Sequence, residues 1–166
     1  MSVQLRDTLS PALAWLARGV RHPKAILEAM GTQLESLTKR AFNEPSLRPA
    51  PWKNKWDGSP ATLRKNQLLV RSIRITALTD TSVTVGTDRI YAAIHQFGGV
   101  IKAKGKALRL QLGNRTLFVK QVTIPARPFF PWLNGRMTPL ALERIQKTGE
   151  RKIASLVQAQ GHGGEA

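Results

Sequence analysis

The 166-residue chain carries 26 Lys and Arg against 10 Asp and Glu, a net charge of +16 and a pI near 11.5. Its hydrophobic content of 42% fits a folded chain with one core and excludes a disordered one. The lack of cysteine excludes disulfides, thiolate zinc sites and cysteine nucleophiles, and no apolar run reaches the ~20 residues of a bilayer span. No secretory pattern opens the sequence: the apolar patch Leu13–Leu16 runs into Arg18 and Arg21 without a cleavage site, which predicts folding in the cytoplasm. The excess positive charge attracts polyanions, either nucleic acid or an acidic protein surface. It is spread along the whole chain, which predicts a broadly basic surface rather than one DNA-reading element.

Taken in order, positions 10–42 read as helical. Ser10 and Pro11 form a start signal for a first helix over Ala12–Gly19, which the stretch from Gly19 to Pro23 breaks. Pro23 opens a longer helix in which Ile26, Leu27, Met30, Leu34, Leu37 and Phe42 recur at three- and four-residue spacing. Gly31 interrupts it, at a cost of about 1 kcal/mol relative to alanine. Positions 43–60, with four prolines and no countable period, read as loop. Trp52 and Trp56 sit in that loop among lysines; they either fold back to close the core or stand out as anchors for a partner.

A sheet core is predicted over 66–133. Leu68, Leu69 and Val70 lead into the alternation Ile73, Ile75, Ala77. A turn at Thr79–Ser82 and a second strand at Val83–Val85 complete a hairpin. A short helix follows from Asp88 to Phe97, stopped by Gly98 and Gly99, with Tyr91, Ile94 and His95 on one face. Two more strands are predicted near Ala107–Leu112 and Thr116–Ile124, joined by a turn at Gly113–Arg115, after a basic, glycine-containing loop from Lys102 to Lys106. Pro125 and Pro128 stiffen the segment that presents Arg127, Phe129 and Phe130. Thr138 caps a last helix over 138–159, and the polar tail 161–166 is too glycine-rich to pack. The whole predicts a single α+β domain over 1–160. Its antiparallel sheet of about four strands packs with the long N-terminal helix, the short central helix and the C-terminal helix.

The chemistry of catalysis is not legible in this pattern. His22 precedes a helix-breaking proline, His162 lies in the tail, and only His95 has ordered, aromatic company. None has a second ligand at metal-binding spacing, so no metal site and no cofactor are expected. The ten carboxylates form no acid–base pair, and Ser82, His95 and Asp80 lack a nucleophile elbow. His95 therefore reads as a packing or hydrogen-bonding residue, and the chain as no enzyme.

The segments Tyr91-Ala92-Ala93-Ile94-His95-Gln96-Phe97-Gly98-Gly99 and Ile124-Pro125-Ala126-Arg127-Pro128-Phe129 resemble the Mu-like phage virion morphogenesis, or tail completion, family. The likeness runs through Lys39–Phe42, Pro51-Trp52-Lys53, Leu68–Ile73 and Val83–Thr87 in family order. One departure stands at Asn66-Gln67-Leu68, where the family carries a glycine before the leucine. The resemblance implies a structural virion protein made in the bacterial host. It would form a homo-oligomeric ring, hexamer or dodecamer, at the head–tail junction or tail end, beside portal, adaptor, stopper or tail proteins. On that reading the assembly interface comprises Trp52, Trp56, Tyr91, Ile94, His95, Phe97, Gly98, Gly99, Pro125, Arg127, Pro128, Phe129 and Phe130. Contact with packaged DNA would be non-specific, and no membrane is involved. The alternative is a basic protein that binds DNA without sequence preference.

Overall fold

A computed structural model describes residues 23–112 and 114–161 of the chain. The predicted first helix over Ala12–Gly19, the tail at 162–166 and Gly113 of the predicted turn lie outside the described residues. Helix α1 spans Pro23–Arg40 and buries Ile26, Leu27, Met30, Gly31, Leu34, Leu37 and Thr38, the stripe that its apolar spacing predicts. Lys39 and Arg40 stand in its last turn, where cations complement the helix dipole. A 3₁₀ turn at Pro45–Leu47 then drops Leu47 into the core.

Helix α2 (Leu68–Ser72) replaces the predicted strand entry. Three consecutive apolar residues do not alternate, and Gln67 sets the direction: with φ 53° and ψ 4° it turns the chain through a left-handed conformation, and its carbonyl accepts the Arg71 amide at 3.0 Å. Leu69 and Ser72, three apart, then face inward. The left-handed region costs a non-glycine residue ~1–2 kcal/mol; glycine removes that cost, and the larger entropy it loses on folding cancels part of the gain. Gln67 is exposed. Gln67→Gly is expected to raise stability by about 0.5–1 kcal/mol in a thermal melt; an unchanged or lowered midpoint would remove strain as the account of this turn.

Strands β1 (Arg74–Leu78) and β2 (Val83–Gly86) form the predicted hairpin, antiparallel and irregular between Ile75 and Ala77. Their inner face lies directly on α1, and Gly31 is the reason it can. A Cβ there would meet Val83 Cγ2 at 2.4 Å and Ile75 Cδ1 at 3.1 Å. The glycine that looks like a flaw in the helix is the seat of the hairpin. Glu35 of α1 reinforces the contact by accepting the Ile75 amide at 3.1 Å.

Helix α3 (Ala92–Phe97) follows, then β3 (Gly99–Lys102), β4 (Leu108–Leu112), β5 (Arg115–Val119) and β6 (Gln121–Ile124). The α+β class is as predicted, but the strands do not join into one four-stranded sheet. They form separate two-stranded antiparallel ladders, β1–β2, β3–β6 and β4–β5, with a small β7 (Trp132–Leu133) and β8 (Arg136–Met137) pair beyond. The predicted strand Thr116–Ile124 is two strands, broken at Lys120, and β3 had no counterpart in the prediction. Helix α4 (Pro139–Gly161) ends the fold and packs along α1, contributing Ala141 and Ile145 to a core shared with Ile73, Val85, Phe129 and Phe130.

Candidate functional site

The two motif segments meet. The short α3 buries Ala92 and Gln96, one turn apart, against the chain from Ile124 to Trp132. Gln96 is the clasp. Its Oε1 accepts the amides of Phe129 and Phe130, both at 3.0 Å, while Nε2 donates to the carbonyls of Phe130 at 3.4 Å and Trp132 at 3.3 Å. The Arg127 amide donates to the His95 carbonyl at 2.7 Å. Pro125 and Pro128 have no amide to satisfy, so a segment too irregular for a ladder still has its buried donors paired.

Gly98 makes the close approach. It has φ 72° and ψ −177°, a region reserved for glycine, and a Cβ would lie 2.8 Å from the Ala126 nitrogen and 3.0 Å from the Ile124 carbonyl. Those neighbours are backbone and cannot swing aside.

The loop carrying Trp52 is stitched to the same segment. Arg127 sends its guanidinium inward, donating from Nε to the Lys53 carbonyl at 2.8 Å and from Nη2 to the Asn54 carbonyl at 2.9 Å. Trp52 Nε1 donates to the Pro128 carbonyl at 2.8 Å. Its ring meets Phe42 edge-on at 5.7 Å, and the Arg48 guanidinium lies 3.8 Å from its centroid. Arg48 also donates to the carbonyls of Ala41 at 2.7 Å and Phe42 at 3.1 Å, closing the C-terminal end of α1. Burial lowers the pKa of both Arg48 and Arg127 from the ordinary arginine value, and both remain cations at neutral pH.

The predicted interface set therefore divides. Phe129 and Phe130 are fully buried within the chain, Phe129 stacked between Phe42 at 5.2 Å and Phe130 at 5.1 Å. As core residues they have no face to offer a partner, and Arg127 and Pro128 are buried beside them. Trp52 is half-buried and packs against the core, whereas Trp56 is 83% exposed. On α3 the side opposite Ala92 and Gln96 carries Ile94 and Phe97, the latter 61% exposed, and Ile90 just before the helix is 83% exposed. Gly98 is half-buried and Gly99 exposed, and Pro125 is half-buried at the foot of β6.

Tyr91 and His95 form a third group, edge to face at 6.0 Å. Together with Trp56, Arg127 and Gln111 they line an open cleft of about 1030 Å3 beside the segment from Lys55 to Leu69. Burial, and then the nearby Arg127 guanidinium, lower the His95 pKa from its usual value, so the imidazole is neutral at pH 7. Its Nδ1 is buried without a hydrogen-bond partner. No group of three or more His, Asp or Glu side chains among the described residues is placed to hold a metal ion. No helix among them is long and apolar enough to cross a membrane. Gln96, which holds the two segments together, is the residue that sequence reasoning passed over. The signal was there: it lies four after Ala92, on the face opposite the apolar residues that drew attention.

The phage virion morphogenesis family model matches residues 4–160, and the chain belongs to that family. Its role lies in building a phage particle. One relative, described as Mu-like prophage FluMu G protein 2 of Haemophilus influenzae, is 33% identical over 121 residues, covering 73% of this chain and 75% of the relative. No solved structure matches the chain.

Proposed function

We propose that the chain is a ring-forming structural subunit at the head–tail junction, needed to complete the tail and join it to the head. It works through its surfaces and not through catalysis. The observation that carries this reading is the exposed apolar pair Ile90 and Phe97, with the half-buried Ile94 beside them, backed by the clamp that Gln96 forms on α3. Apolar groups of this size cost free energy in water, and a preorganised backbone loses little entropy on docking. Val100 and Ile101, on opposite faces of β3, are exposed apolar groups as well. A head-to-tail contact between copies closes into a ring, a hexamer or dodecamer, when the rotation per subunit fits. The remaining surfaces of such a ring would face portal, adaptor, stopper or tail proteins.

The test is the oligomeric state of the full chain. Cyclic oligomers should appear at high concentration in sedimentation and electron microscopy, and the double variant I90S/F97S should lose them. Loss of two hot-spot side chains at about 2 kcal/mol each would raise the concentration needed for closure by roughly 10³-fold per interface. A wild-type chain that stays monomeric at every concentration and is missing from particles would overturn the reading. The net charge of +16 favours a second one, non-specific DNA binding, whose affinity should fall steeply with salt.

A further inference from the structure

The ladders β3–β6 and β4–β5 are two halves of one arm. Gly99 pairs with Ile124 and Lys102 with Gln121; the Ala103 amide then donates to the Lys120 carbonyl at 2.8 Å, and pairing resumes from Leu108–Val119 to Leu112–Arg115. Between Ala103 and Leu108 the outgoing strand bulges by Lys104, Gly105, Lys106 and Ala107, with nothing opposite them. Counted along the strand, the paired part is about 30 Å long. Positions 99–124 hold six cations, Lys102, Lys104, Lys106, Arg109, Arg115 and Lys120, and no carboxylate. All six are exposed, and among the described residues none is ion-paired. Elsewhere Lys39, Arg40, Arg74 and Arg89 have carboxylate partners, and Arg48 and Arg127 are spent on backbone carbonyls.

The register puts four of these charges on both faces. Lys102 and Lys120 belong to adjacent rungs, and Arg109 and Arg115 to rungs three apart, so the members of each pair project oppositely. A flat acidic protein surface meets one face of such a ribbon and leaves the other half of the charge uncompensated. A groove of duplex DNA has phosphates on both walls, and the major groove admits a two-stranded ribbon. Phe118, 70% exposed and directly across from Arg109, supplies an apolar contact beside the cation.

We propose that the arm over 99–124 is the DNA-contacting element of this protein, lying along a groove of double-stranded DNA and neutralising phosphates on both walls without reading sequence. This rests on the reading that the chain meets DNA, and holds whether or not it forms a ring. The experiment measures binding of the full chain to 30-base-pair duplexes of two unrelated sequences by fluorescence anisotropy across a salt series. The wild type is compared with K102Q/K104Q/K106Q/R109Q and with a matched loss of charge on α4, R144Q/K147Q/R151Q/K152Q.

The arm variant should flatten the slope of log affinity against log salt by about 3–4, at roughly 0.9 per lost phosphate contact, and weaken binding at 0.1 M salt by about 10²–10³-fold. The α4 variant should keep the wild-type slope to within about one, and both duplexes should behave alike. Equal flattening by the two variants would show a general charge effect and overturn the arm as the contact. Arm-dependent binding that is tighter to polyglutamate than to DNA under the same conditions would hand the arm to an acidic protein. A wild type with no DNA affinity at low salt would end the DNA reading itself. Sedimentation of the arm variant, expected to match wild type, separates these outcomes from failure of the ring.

Discussion

Gln96→Leu is expected to destabilise the chain by roughly 2–6 kcal/mol. Leucine fills nearly the same volume, so the cavity is small and the loss is polar. The amides of Phe129 and Phe130 lose the acceptor they share, and each buried donor left unpaired costs about 1–3 kcal/mol. The carbonyls of Phe130 and Trp132 also lose a donor, at the longer distances of 3.4 and 3.3 Å. Against a typical total stability of about 5–15 kcal/mol this is a large fraction. Urea unfolding followed by tryptophan fluorescence reads it directly. A midpoint shift worth less than about 1 kcal/mol would mean that the segment holds its shape without the clasp.

Phe129→Ala should cost about 3–5 kcal/mol, the usual loss for truncating a buried aromatic. What distinguishes it is where the loss appears. An interface residue weakens association and leaves the isolated chain intact. Phe129 lies wholly inside, between Phe42 and Phe130, so its removal should lower the unfolding midpoint equally at every protein concentration. Tyr91→Ala supplies the contrast: that side chain is exposed at the cleft, and its loss should leave the melt nearly unchanged. If both variants melt like wild type, the aromatic stack is not the keystone of this core.

What could be read in advance followed periodicity. The stripe from Ile26 to Leu37, the alternation around Ile73–Ala77 and the glycine stop after Phe97 each correspond to an element in nearly the expected place. Three features eluded that logic for separate reasons. Leu68–Ser72 is helical because Gln67 adopts a backbone conformation that its side chain does not advertise. The single four-stranded sheet was inferred from strand number, but strand number does not specify pairing. Val100 and Ile101 pair with β6, and the ladder breaks into two around a basic bulge.

The candidate site misled in a more instructive way. Short motifs dense in aromatics and proline look like contact points, yet Arg127, Phe129 and Phe130 are consumed by folding one loop and one helix onto each other. The groups left exposed, Ile90, Phe97, Trp56 and the arm, lie beside those motifs and carry little pattern of their own.

The placement of Gln96 has a mechanical side. Both strands of the arm leave the body at one point, through Gly98 and Gly99 on the way out and Ile124 and Pro125 on the way back. Just behind that root the amides of Arg127, Phe129 and Phe130 are bonded in a row to α3. A pull along the arm therefore meets several hydrogen bonds grouped at its base. The clasp makes the arm a lever with a fixed fulcrum, able to pass tension into the core without unravelling at its base.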